Sequence, residues 1–405
     1  QYAIPFPHRN MQLGRPVQRT PLYERLVEQG AVMGQIAGWE RAFWFQTDTI
    51  QDAGDADLSF HHEPWQDAVA QECRTVADSV GVMDHGGFTK YDLQGDGAGA
   101  FLSKLICGGV PKPGRVRLSY MLTPKGRIWS EATVARLSQD RFLLCGPTLA
   151  DLRDFDWLSA HLPDSGVTLK RGYEHDAALM VMGPKAREAL TPLTDANLSA
   201  NAMPWLSVAE INLAGVPVTA MRVSFVGELG WELHLSSDHL LQVYEAITER
   251  VRSLGGCQFG SYALNAMRIE KGYHGWGIDF GTEYTLFDAG LGRFANMTKG
   301  EFVGRDAVEA QANQTPDWEW VGLEMTQDCP EPLSSDPILK DGNWIGYVTS
   351  ASHGYRTGTH SVLAYVKNGT LEMGADAQVR VFGQLCSARR HSPHVYDPEN
   401  ARMKV

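Results

Sequence analysis

Apolar positions along the chain follow two rhythms that alternate. In Asp238–Ser253 the residues Leu240, Val243, Tyr244, Ile247 and Val251, followed by Leu254, recur at three- and four-residue steps. That spacing predicts an amphipathic helix with Ser237 as its N-cap and Gly255 as its stop. The same step predicts helices over Trp65–Cys73, along Phe101, Leu102, Leu105 and Ile106, and over Asp151–His161 and Lys185–Leu190. Strand-like runs lie between them: Phe88–Leu93, Arg115–Met121, Arg127–Leu137, Arg141–Cys145, Ala177–Met182, Glu210–Leu213, Val216–Ser224 and Gly230–Leu235. Strands mixed with helices in this way predict an α+β architecture, two intertwined lobes over residues 60–315. From 316 the helical rhythm fades. Val321–Met325, Trp344–Ser350, Ser361–Val366 and Gln378–Phe382 read as short strands, which predicts an all-β domain over 316–405 with Ala310–Asp317 as the boundary. Residues 1–59 read as an extended arm, because Pro5, Pro7, Pro16 and Pro21 favour extended chain. The bulky cluster Gly38–Phe45 within it needs a surface to pack on.

Composition narrows the partners. The 405 residues suit two to three domains of ~150 residues. With 36 basic and 48 acidic residues the net charge is −12, which repels a nucleic-acid backbone and excludes that partner class. The longest apolar run, Ala177–Met182, is far short of the ~20 residues of a membrane helix, so no membrane role is expected. Cys73, Cys107, Cys145, Cys257, Cys329 and Cys386 are scattered, with no CxxC and no Cys/His pair at zinc spacing. This predicts free thiols and no metal, in a cytoplasm or, in a eukaryote, a mitochondrial matrix. The chain begins at Gln1 without an initiator Met, and the expectation is a processed terminus or part of a longer polypeptide.

Some signals fail on their context. Gly95-Asp96-Gly97-Ala98-Gly99-Ala100 fits a dinucleotide fingerprint, but the acid expected about 20 residues on is absent and the flanks do not continue as βαβ units, so it reads as a plain turn. His61-His62-Glu63 reads as surface polarity, and His353 and His360 in the Gly-rich β region need no function. Three segments survive. Pro124 and Gly126 make a turn between strands, after which alternation puts Glu131 on one face with Trp129 and Thr133. A carboxyl there is either a half-exposed strand residue or a desolvated acid with a raised pKa. In Gly230–Leu235, Glu232 shares a face with His234, either solvated or accepting paired N–H donors through its two oxygens. Arg268 offers a planar fork to a ligand carboxylate or an ion pair to Glu270 or Asp279.

Val226-Gly227-Glu228-Leu229-Gly230-Trp231-Glu232 and Met267-Arg268-Ile269-Glu270-Lys271-Gly272-Tyr273 resemble core motifs of the aminomethyltransferase (glycine-cleavage T-protein) family. So do Asp288-Ala289-Gly290-Leu291-Gly292 and Phe302-Val303-Gly304-Arg305-Asp306-Ala307. Gly14-Arg15-Pro16, Pro21–Leu26 and Gly38–Arg41 are similar to the stretch that precedes the folate-binding C-terminal half of dimethylglycine and sarcosine dehydrogenases. The resemblance implies three domains, two ferredoxin-like lobes and a C-terminal β-barrel-like domain, around a tetrahydrofolate site. It implies Glu131 as catalytic acid/base, where T-proteins carry an Asp-Asp pair in place of Ser130-Glu131 and the dehydrogenases a lone Glu. It implies Glu232 as the pterin anchor, Phe225 in place of a pocket Tyr, Arg268 in carboxylate or folate recognition, and Tyr120 and Trp276 as pocket walls. The expected activity is movement of a methyl or methylene unit from a small methylated donor to tetrahydrofolate. The alternatives are the folate half of a flavin-dependent dehydrogenase, its FAD on another domain or subunit, and a folate-binding regulatory protein, which Ser130 and Phe225 would permit.

Overall fold

The computed structural model describes residues 13–52 and 59–405. Pro5 and Pro7 of the predicted arm lie outside them. The described part of that arm is not one extended run. Tyr23–Glu28 is a helix, and Ala31–Ile36 pairs with Trp39–Phe45 as an antiparallel hairpin. Ala37 and Gly38, with φ of 52° and 86°, form its turn. The hairpin escapes a pattern reading because Glu40–Phe45 is buried without alternation. Phe43 and Trp44 join a cluster with Val69, Cys73, Phe259 and Met267, while Ala42 and Phe45 join another with Leu26, Val80 and Val82.

The first lobe is a five-stranded sheet in the order Arg115–Leu122, Ile128–Arg136, Arg141–Gly146, Thr89–Gln94, Thr168–Arg171. Helices Ala98–Leu105 and Asp151–Ala160 cover one face, on which Tyr91, Leu93, Met121, Val134, Phe142 and Leu144 are buried. The turn before the first of these helices leaves no cradle for a phosphate. A Cβ at Gly95 would lie 2.1 Å from the Gly166 carbonyl oxygen, which also accepts from the Gly97 N–H.

The second lobe is a six-stranded sheet in the order Val208–Leu213, Val216–Met221, Gly230–Leu235, Ala177–Met182, Gly81–Asp84, Cys257–Gln258. Helix Leu240–Ser253 buries Leu240, Val243, Tyr244, Ile247 and Val251 against it. The cap sits one residue earlier than predicted: Ser236 accepts from the Asp238 N–H and starts a short 3-10 turn. The inner faces of the two sheets meet through Val116, Ala135 and Leu143 on one side and Val208 and Met221 on the other.

Residues 318–391 form a closed six-stranded antiparallel barrel in the order Trp318–Met325, His360–Lys367, Asn343–His353, Pro337–Lys340, Asp376–Val381, Gln384–His391. Closure leaves no strand edge to protect. The all-β expectation for 316–405 fails at its end. The chain after His391 returns to the second lobe and finishes in helix Ala401–Lys404, where Arg402 Nε donates to Glu228 Oε2 at 2.8 Å.

Glu72, on helix Trp65–Asp78, is buried and accepts from the N–H groups of Phe45 and Gly260, each at 2.8 Å. Burial pushes its carboxyl up to about 8 despite those two bonds. A carboxyl raised in the folded state stabilises fully below its unfolded value, and that contribution is lost as pH rises toward the folded one. The depressed histidines act in the opposite sense below about 6.5 and the depressed Lys299 as pH nears 8, so the carboxyls dominate the window from 6.5 to 7.5. Unfolding free energy from urea titrations should fall across that window, by at most about 1.4 kcal/mol per pH unit for each such carboxyl. Glu72→Gln should flatten the fall; an unchanged slope would contradict the assignment.

Candidate functional site

Helix Ser261–Lys271 ends at Gly272, whose φ of 70° is left-handed and whose Cβ, if present, would lie 2.4 Å from the Pro393 carbonyl oxygen. The loop Tyr273–Phe280 follows. Arg268 holds this loop with its whole fork. Nε donates to Asn265 Oδ1 at 3.0 Å, Nη1 to the Tyr273 carbonyl at 3.0 Å and to Asp279, and Nη2 to Ser350 Oγ at 2.7 Å. Asp279 also accepts from Thr349 Oγ1 at 2.5 Å, Ser350 Oγ at 2.7 Å and the Gly275 N–H at 2.7 Å. Burial opposes the charge on Asp279, yet Arg268, His274 and these donors together hold its carboxyl below the ordinary value. Arg268 is therefore spent on the ion pair with Asp279, deep inside the protein rather than at its surface, and not on an open ligand subsite.

The pinned loop gathers most of the residues singled out by sequence. Trp276 packs edge-on to Phe280 at 5.2 Å, and Tyr120 meets the same Phe280 at 6.0 Å and Phe294 at 5.1 Å. Phe225 stacks on Tyr273 at 6.1 Å. Glu131 lies directly opposite Tyr120 in the ladder of the first sheet. Its carboxyl has no hydrogen-bond partner among the described residues. Burial pushes it up to about 8, and the negative charge of Asp279 adds to the shift. Such a carboxyl keeps its proton at neutral pH and is poised as an acid that can become a base. Ser130, which faces the helices, donates to Asp154, and Arg153 lies over the rings of both Trp129 (4.8 Å) and Trp276 (5.1 Å). Neither Arg153 nor Asp154 carries a sequence signal beyond helical charge.

Glu232 stands on the face of the second sheet that carries Met221, its partner across the ladder. Its oxygens lie 4.0 Å from His85 Nε2 and 3.7 Å from His234 Nε2. Burial drives both imidazoles down, His85 to about 4, so both are neutral. His85 Nδ1 and both ring nitrogens of His234 are buried without a hydrogen-bond partner among the described residues. Lys90 donates to the carbonyls of His175, Asp176 and Ala177, and its row across the first sheet runs through Cys145 to Thr133, two residues along the same face from Glu131. Glu131 and Glu232 thus lie on facing surfaces of the two lobes. His85 has no motif around it, and His234 was visible only as a neighbour of Glu232.

The chain matches the GCVT N-terminal domain over residues 22–299 and the glycine cleavage T-protein C-terminal barrel domain over 319–397. It belongs to the glycine-cleavage T-protein family. The structure aligns with the glycine cleavage system aminomethyltransferase T of Bartonella henselae at a TM-score of 0.79 and 22% identity, covering 96% of this chain and 99% of that one. The mitochondrial dimethylglycine dehydrogenase of Homo sapiens is 32% identical over 387 residues, 94% of this chain and 44% of that protein. The 4-methylaminobutanoate oxidase (formaldehyde-forming) of Paenarthrobacter nicotinovorans is 29% identical over the whole chain and 49% of its own length. The chain thus spans about half the length of these curated relatives. Among the described residues no helix is long and apolar enough to cross a membrane.

Proposed function

We propose that this chain binds tetrahydrofolate between its two α+β lobes and transfers a one-carbon unit to it from a small methylated donor. The observation that carries the reading is Glu131: an unpartnered carboxyl with a pKa of about 8, beside aromatic walls, in a T-protein fold. The residues fit the ligand's chemistry. Trp276 and Phe225 offer flat apolar faces to a neutral ring system, and Tyr120, itself buried, backs Trp276 through Phe280. Glu232 offers two acceptor oxygens for paired N–H groups, and the orphaned nitrogens of His85 and His234 beside it supply further polar edges. Reduced folate supplies, when bound, the amine nitrogens that receive the one-carbon unit. Glu131 gives up its proton to, or takes one from, the reacting nitrogen. Arg268 and Asp279 act through the loop, fixing Trp276 and Phe280 and keeping a negative charge near Glu131 that favours its protonated form.

The names of the relatives favour a unit at the formaldehyde level, released from an N-methyl amine. On this reading FAD belongs to a separate flavoprotein domain or subunit. Titration with tetrahydrofolate, followed by the fluorescence of the eleven tryptophans, tests the site. Wild type should saturate, and Glu232→Ala should bind at least about tenfold more weakly, the loss expected for hydrogen bonds to a charged group. Equal affinity in the two proteins would refute the pterin role of Glu232.

A further inference from the structure

His353 and His360 are seven residues apart, a spacing that suggests nothing. Strand register changes this, because they are directly opposed at the end of the ladder between Asn343–His353 and His360–Lys367. Their rings stack at 4.1 Å with planes 23° apart. Glu331, on the segment that leads into strand Pro337–Lys340, reaches the same spot. One nitrogen from each histidine and a carboxylate oxygen of Glu331 all lie within 4.8 Å of one another. His360 Nε2 is fully buried and has no hydrogen-bond partner among the described residues.

We propose that Glu331, His353 and His360 bind a zinc-class divalent cation that staples the base of the barrel hairpin 354–359. Two imidazoles and one carboxylate with a fourth position for water form a usual donor set for Zn²⁺. Metal–ligand bonds of ~2.0 Å in a tetrahedron place ligand atoms ~3.3 Å apart, so small side-chain rotations close the present spacing. The bound ion would supply the partner that His360 Nε2 lacks.

The location gives the ion a task separate from folate. The hairpin it would close carries Arg356 and Thr357. Their N–H groups donate to Glu270 Oε1 at 3.0 and 2.9 Å, and Arg356 Nε donates to Glu270 Oε2 at 2.6 Å. A cation at the root of the hairpin therefore braces the joint between barrel and second lobe. None of the three ligands is among the residues assigned to folate, so this proposal and the folate reading stand or fall separately.

The test uses the full chain stripped with EDTA, titrated with Zn²⁺ in a calorimeter and with Co²⁺ in a spectrophotometer. One Zn²⁺ per chain, a rise in melting temperature, and visible Co²⁺ bands without a near-ultraviolet thiolate band are expected. His353→Ala, His360→Ala and Glu331→Gln should each weaken binding at least about tenfold while leaving the metal-free melting temperature near that of wild type. Should an alanine variant not fold, His360→Gln and the Co²⁺ spectrum of wild type decide. Absent binding, unchanged affinity in the histidine variants, or a thiolate band implicating the cysteines would each overturn the proposal.

Discussion

Glu131→Gln is expected to bind tetrahydrofolate as wild type does and to transfer the one-carbon unit about 10²–10⁴-fold more slowly, the range for loss of a positioned acid or base. The amide keeps the size and polarity of the side chain and removes the ionisable proton. The pH profile adds a second readout. The wild-type acid is protonated at neutral pH and loses its proton near pH 8, so a rate that depends on the acid falls as pH rises through that value. The glutamine variant should lack this limb. Single-turnover assays over pH 6.5–9.5 check both points. Retained turnover in the variant would remove Glu131 from the mechanism, and an unchanged alkaline limb would assign that limb to another group.

Arg356→Ala is expected to cost about 3–5 kcal/mol of stability, the usual penalty for leaving a buried charge without its partner. Glu270 is fully buried and takes Arg356 Nε together with two backbone N–H groups of the hairpin. Glu228, also fully buried, lies 3.5 Å from Arg356 and is shared with Arg402 and the hydroxyl of Tyr396. The same guanidinium donates to the carbonyls of Val226 and Met267 and sits 3.7 Å from the centre of the Tyr396 ring. Removing it takes the guanidinium from Glu270 and leaves Glu228 with Arg402 and Tyr396. Arg356→Lys should recover only part of the loss, because an ammonium cannot serve these acceptors with one planar fork. Urea unfolding of the three proteins gives the comparison; a deficit under about 1 kcal/mol in the alanine variant would show that the other donors suffice.

These two residues mark how much was legible beforehand. Glu131 stood out because strand alternation and a resemblance pointed to the same position. Arg356 did not, because its partners Glu228 and Glu270 lie 128 and 86 residues away and only the fold joins them. Elements with one clean period and one covered face were readable, helix Leu240–Ser253 above all. The hairpin Ala31–Phe45 was not, since its second strand is covered on both faces and shows no alternation. Barrel strand Gln384–His391 was missed because its buried positions are only Cys386 and Ala388, too small to stand out among Ser387, Arg389 and Arg390. Arg268 and Asp279 were both in view, and the choice between ligand and ion pair was made by barrel hydroxyls of Thr349 and Ser350 that no local pattern connects to them. His85 reaches Glu232 across 147 residues of chain, and His353 meets His360 through register alone.

Strand Gly81–Asp84 has a consequence for how the chain is assembled at the ribosome. It pairs with Ala177–Met182 and Cys257–Gln258, whereas every strand of the other sheet lies between Thr89 and Arg171. The first lobe is thus an insertion in the second, and the strand pairings of its sheet are all in hand once residue 171 has emerged. Gly81–Asp84, made earlier, must wait with its apolar side chains unpaired until partners nearly a hundred residues downstream arrive. Long-range closure of this kind is slow and exposes sticky surface meanwhile. The lobe translated first is therefore the last to be completed, and no cut between the lobes yields two self-sufficient halves.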